Sequence, residues 1–83
     1  MNNKVLVELV VPSLEETYNI YIPINKRVGN IIQLVNKVLF ELTNGLYVGN
    51  DMTALYDESG EKYEVNLLVR QTNIRNGSII VLF

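Results

Sequence analysis

The sequence predicts a single α+β domain over residues 1–83, a mixed sheet of four to five strands with one amphipathic helix packed on one face. Three observations carry that reading. Two stretches of alternating apolar residues open the chain, Lys4 to Val11 and Thr17 to Ile24, as expected of half-buried strands. A run with apolar residues at three- and four-residue spacing follows from Val28 to Leu42. A short, strongly apolar strand, Ser78 to Phe83, comes last.

In the first strand Val5, Val7, Leu9 and Val11 share one face, which is expected to point into the core. Pro12 to Glu16 reads as a turn. The second strand alternates again, with Tyr18, Ile20, Ile22 and Ile24 on one face, and should pair with the first as an antiparallel hairpin. Pro23 lacks an N–H for a ladder, so it belongs near the end of that strand or on an edge. Asn25 is the expected helix cap. Val28, Ile31, Ile32, Val35, Val38, Leu39 and Leu42 then form a stripe wide enough to cover a sheet face. Gln33, Lys37 and Phe40 fall on the opposite side, so Phe40 is exposed unless the loop from Leu46 to Asp51 folds over it.

Asn44-Gly45 supplies the left-handed stop expected after a helix. Thr53 to Tyr56 reads as a short strand, Asp57 to Gly60 as a turn, and Glu61 to Val65 as a second short strand. Asn66 to Thr72 should contain one helical or 3₁₀ turn. Asn76-Gly77 turns the chain into the last strand, where Ile80 and Leu82 share one face and Ile79, Val81 and Phe83 the other.

Composition narrows function by exclusion. With 48% hydrophobic and 19% charged residues the chain is too apolar for disorder, and a net charge of -2 offers no field for nucleic acid or anionic lipid. No window approaches the roughly 20 apolar residues of a membrane span, and Met1 to Lys4 leads straight into a strand, so the cytoplasm is the expected compartment. There is no cysteine and no histidine, which removes thiolate chemistry, zinc-thiolate sites and the commonest general base. The carboxylate pairs Glu15-Glu16, Asp57-Glu58 and Glu61/Glu64 sit in or beside turns and read as solvated surface. Asp57 to Glu61 lacks calcium-loop spacing, and the isolated glycines form no phosphate loop. Lys26, Arg27, Lys37, Arg70 and Arg75 are dispersed, with Arg70 and Arg75 the pair that could flank a partner. The expectation is therefore no enzyme, no cofactor and no metal.

The element order, one amphipathic helix after an initial hairpin, is the β-grasp pattern. Val69-Arg70-Gln71-Thr72-Asn73-Ile74 resembles the segment that ubiquitin-like proteins write L-S-D-Y-N-I before their last strand; Asn73 and Ile74 match, the aspartate and tyrosine do not. Thr17 to Pro23 leading into Val28 to Val35 resembles the second strand and helix of the bacterial YukD/EsaB-like family. Asn76 to Phe83 is similar to that family's N-G-D-x-L-x-[IL]-L ending, with Ser78 in place of the aspartate. The resemblance implies a cytoplasmic accessory protein of type VII secretion in Gram-positive bacteria, with protein partners, possible self-pairing, no cofactor and no catalytic residues. The last residues, Ser78 to Phe83, carry no terminal diglycine, so the expectation is a module that is not conjugated to targets.

If the odd face of the first strand is inward, Leu6 and Val10 point outward, as do Tyr21 on the second strand and Ile79, Val81 and Phe83 on the last. In a β-grasp sheet the first strand pairs with both the others, so these side chains should form one apolar patch, the expected protein-binding face. Lys4, Glu8 and Asn19 are its polar surroundings, and Phe40 on the helix is a separate candidate. The patch suits either a membrane-associated secretion component or a second copy of the chain. In the second case the protein is a structural homo-oligomer unrelated to secretion.

Overall fold

The computed structural model describes residues 3–83. Four strands and one helix follow the predicted order: β1 (Lys4–Val11), β2 (Glu16–Pro23), α1 (Val28–Leu42), β3 (Leu55–Tyr56) and β4 (Ile79–Leu82). The sheet order is β2-β1-β4-β3, with β1 antiparallel to β2, β1 parallel to β4, and β3 antiparallel to β4.

The alternation in β1 works as expected. Val7, Leu9 and Val11 are buried, Leu6 is exposed, and Glu8 and Val10 are half-buried. Ile80 and Leu82 of β4 meet them on the inner face, with Ile22, Leu55, Tyr63, Val69 and Ile74 completing the core beneath α1. Pro12 opens a 3₁₀ turn, and Glu15 closes it in the left-handed region at φ 53°. The chain leaves α1 through Asn44 and Gly45, both left-handed at φ 53° and 83°, and the Gly45 N–H donates to the Phe40 carbonyl at 2.8 Å.

Three expectations fail, the first two because a distant segment supplies what local sequence lacks. Asn25 is not the helix cap; Arg27 is, in extended conformation and with no side-chain bond to the helical amides, its Nε–H donating instead to the Asn66 carbonyl at 3.1 Å. The first helical donors bond elsewhere, Val28 N–H to the Leu67 carbonyl at 2.8 Å and Gly29 N–H to the Val65 carbonyl at 3.0 Å. Glu61 to Val65 does not form a strand. It makes one bridge, Lys62 with Tyr56, before Val65 to Leu67 turn away toward the start of α1, so the sheet has four strands, the lower end of the expected four to five.

The third correction concerns the helical stripe. Val28, Ile31, Ile32, Val35 and Leu39 are buried, but Val38 keeps 39% and Leu42 62% of its surface exposed. The stripe is wider than the sheet below it. β2 is an outside strand, and the side of α1 carrying Leu34, Val38 and Leu42 overhangs its edge.

Burial separates two leucines that share one stripe. Leu39→Ala is expected to cost about 2–5 kcal/mol, as for other large-to-small changes in a closed core. Leu42→Ala should fall within about 0.5 kcal/mol of wild type. Urea unfolding of both variants measures the difference; equal losses would mean that the end of α1 packs more closely than described.

Candidate protein-binding face

Register places the predicted patch residues in rows across the outer sheet face. Leu6 lies opposite Tyr21, Glu8 sits between Asn19 and Ile79, and Val10 between Thr17 and Val81. The row through Val81 continues to Tyr56 of β3. Phe83 lies just past β4, its ring edge-on to Tyr56 at 6.1 Å between centroids and 81° between planes.

Hydrogen bonding fixes which backbone groups face which neighbour. Ile24 N–H donates to the Asn3 carbonyl, so the odd residues of β1 bond toward β2. Even residues bond toward β4: Glu8 N–H donates to the Ser78 carbonyl at 2.9 Å, and Gly77 N–H to the Leu6 carbonyl at 2.8 Å. Before β4 begins, the Asn76 Oδ1 takes the place of a strand carbonyl and accepts the Leu6 N–H at 2.8 Å. Leu6 and Tyr21 therefore form a close, non-bonded pair with their side chains on the outer face.

The predicted residues come together in part. Val10, Ile79, Val81 and Phe83 form one apolar cluster, joined by Tyr56, which the sequence reading had not assigned to the face. The signal for Tyr56 was present: in a short strand whose Leu55 is core, the next side chain must point outward. Leu6 and Tyr21 form a second, smaller cluster across the row of Asn19 and Glu8. Tyr21 and Phe83 are the most exposed members, at 65% and 66%.

Phe40 lies on the helix, away from the sheet face, and is 49% exposed. The Asn44-Gly45 turn rests against its ring, whereas Leu46 and Val48 extend into solvent. The following loop is anchored instead by Tyr47, whose hydroxyl donates to Asn36 Oδ1 at 3.1 Å while its N–H donates to Thr43 Oγ1 at 2.9 Å.

Beside Tyr56 and Phe83 the Asp57–Gly60 turn forms the wall of a shallow depression of about 270 Å³, lined by Tyr56, Gly60, Val81 and Phe83 with Asp57 and Glu58 at its rim. Asp57 Oδ1 accepts from Ser59 N–H and Oγ–H at 2.9 and 2.7 Å and from Glu61 N–H at 2.9 Å. These bonds, the Ser59 hydroxyl foremost, hold its carboxyl below the usual range. Burial, and then the charge of Asp57, push the Tyr63 phenol up, and its hydroxyl donates to Asn73 Oδ1 at 2.7 Å. Among the described residues no three acidic side chains gather as a cation site. The Arg75 guanidinium is held on its own loop, donating to the Thr72 and Ile74 carbonyls at 2.7 Å each.

The sequence matches no protein-family model and no curated protein. Among solved structures, the chain is similar to the ubiquitin-like domain of EccD5 from Mycobacterium xenopi, at 15% identity and a TM-score of 0.80, covering 99% of this chain and 94% of that one. It is also similar to the ubiquitin-like domain of the type VII secretion protein EccD1 of Mycobacterium tuberculosis, at 12% identity, a TM-score of 0.76, and 99% and 98% coverage. A chain of the MycP5-free ESX-5 inner membrane complex matches at 15% identity and a TM-score of 0.74, with 99% of this chain covering 21% of that one. The fold is therefore ubiquitin-like. No helix among the described residues is long and apolar enough to cross a membrane.

Because the Asp57 carboxyl is depressed in the fold, its contribution to stability is fully present above its ordinary value of 3.8 and is lost as pH falls through the lower, folded value. Thermal unfolding of Asp57→Ala should accordingly lie below wild type near neutrality and converge with it in acid. A gap that stays constant with pH would show that the side chain matters only for its shape.

Proposed function

We propose that this chain is a noncatalytic interaction module that acts as a YukD/EsaB-like cytoplasmic accessory or regulatory protein of a Gram-positive type VII secretion system. It docks on a protein component of the membrane-associated machine. The observation that carries the reading is the apolar cluster of Val10, Ile79, Val81, Tyr56 and Phe83 on the outer face of a sheet whose fold is that of EccD ubiquitin-like domains.

The chemistry of the face suits binding rather than turnover. Its residues are aliphatic and aromatic, with Glu8, Asn19 and the Asp57 turn as polar border. Aromatic anchors surrounded by such a border are the usual seat of binding energy in protein interfaces. Catalysis would need a nucleophile or base held against a second polar group in a shaped cavity, and the cluster contains neither.

The test uses Val81→Asp. Val81 is half-exposed and points away from the core, so the variant is expected to fold, with an unchanged amide spectrum, while a buried carboxylate at the contact costs at least about tenfold in affinity. Affinity capture from source cells with the two forms side by side should retain a membrane secretion component on wild type alone. Equal retention by both forms would move the interface off this face. Recovery of nothing but further copies of the chain, with a mass in solution that falls on dilution, would favour the homo-oligomer instead.

A further inference from the structure

At the β3 side the apolar face ends in a hollow whose chemistry is narrower than that of the rest of the patch. The rings of Tyr56 and Phe83 stand edge to face at its base beside Val81, and Asp57 and Glu58 line it on the side of the turn. Both halves are held in place by the fold itself. Phe83 is tied to Ala54 by a reciprocal pair of backbone bonds, its N–H donating at 3.0 Å and its carbonyl accepting at 2.7 Å. The turn is closed by Asp57 N–H to the Glu61 carbonyl at 2.8 Å and by Gly60 N–H to the Asp57 carbonyl at 3.0 Å. The three bonds that the Asp57 carboxylate accepts all end on Oδ1, so Oδ2 can accept from a ligand.

We propose, resting on the interaction-module reading above, that this hollow receives an arginine side chain of the partner protein, its guanidinium plane laid on the aromatic base and its N–H fork on the carboxylates of Asp57 and Glu58. A hollow of about 270 Å³ admits a side chain rather than a folded element. Because rings and turn are already fixed, little ordering is needed when the side chain enters.

Charge sets the sign of the occupant. From residue 57 to residue 62 the chain carries Asp57, Glu58 and Glu61 against one cation, Lys62. Lys62 bridges Tyr56 through the backbone, but it lines a different hollow, with Tyr63 and Asn73, and is not among the residues that line this one. The aromatic base sets the kind of cation. A metal ion needs a shell of oxygen ligands, which two rings and a valine do not supply. An ammonium is a compact, strongly hydrated charge, whereas a guanidinium is flat and weakly hydrated, stacks on a ring and meets carboxylates with several N–H groups at once. A second copy is a poor source of that group. Of the three arginines, Arg27 already donates to the Asn66 carbonyl and Arg75 to those of Thr72 and Ile74.

The probe is a pair of capped peptides, Val-Leu-Arg-Leu-Val and its analogue with citrulline for arginine, which keeps the shape and loses the charge. Each is titrated into the whole chain and followed by amide spectra. Saturable shifts at Tyr56, Gly60, Val81 and Phe83 are expected, with the citrulline peptide at least about tenfold weaker and the preference shrinking as salt is raised. Glu58→Gln, at an exposed position of the turn, should keep the folded spectrum, weaken the arginine peptide and leave the citrulline peptide unchanged. A lysine peptide should bind more weakly than the arginine one. Equal binding of the arginine and citrulline peptides overturns the proposal, as do shifts away from Tyr56 and Phe83 or no saturation up to about 10 mM. Shifts at those residues that grow with protein concentration alone also overturn it, by giving the hollow to a second copy. Affinity capture separates this inference from the function it rests on. A secretion component kept by wild type and Glu58→Gln alike but lost by Val81→Asp would uphold the face and overturn the arginine site. Arginine preference in the peptides together with equal capture by wild type and Val81→Asp would uphold the hollow as an arginine site and reject the docking function.

Discussion

Everything in this fold depends on β1 being paired along both of its edges. Its odd residues bond to β2 and its even residues to β4, while the same alternation sends Val7, Leu9 and Val11 into the core and Leu6 and Val10 to the opposite face. A slip of one residue would exchange both hydrogen-bond partners and both faces at once. Burial resists that slip, because Leu9 and Ile80 sit opposite each other at 1% and 0% exposure at the centre of the sheet. Asn76 extends the constraint beyond the strands by lending a side-chain oxygen to the Leu6 amide where β4 has not yet begun.

Around that axis the rest of the chain acts as packing and as clips. α1 covers the inner face, and the segment from Val65 to Arg70 is stitched to the junction between β2 and α1. Leu67 and Val65 carbonyls take the first helical amides, and Lys26 and Ile24 carbonyls take the amides of Val69 and Arg70. Asn73 and Ile74, the two residues that match the ubiquitin-like motif, have separate duties. Asn73 receives the Tyr63 hydroxyl, and Ile74 is buried in the core. What the motif preserves here is the anchoring of a long crossing loop, not a chemical group.

The parts legible in the sequence are those decided by neighbours along the chain. The alternation of β1, the burial of Val28 to Leu39, and the left-handed residues at Asn44, Gly45, Gly60 and Gly77 all follow from local pattern or from steric freedom at glycine. The outward set on β4 was legible for the same reason, once Ile80 and Leu82 were assigned inward. What escaped depends on residues far apart. No local signal says that Val28 and Gly29 are capped by carbonyls nearly forty positions later, or that this demand bends Glu64 to Leu67 away from the sheet. Nor does a stripe on a helix reveal the width of the sheet beneath it. Leu34, Val38 and Leu42 became a groove only because β2 is the last strand on that side.

The parallel pairing of β1 with β4 has a mechanical consequence. Tension that enters before Lys4 and leaves after Leu82 pulls two parallel strands in opposite directions along their length. The bonds around Glu8, Leu6 and Gly77 would then be loaded together in shear rather than peeled one after another. A domain connected this way holds its shape under a load from its two flanks and yields abruptly, whereas a pull across the β1–β2 hairpin would unzip it gradually.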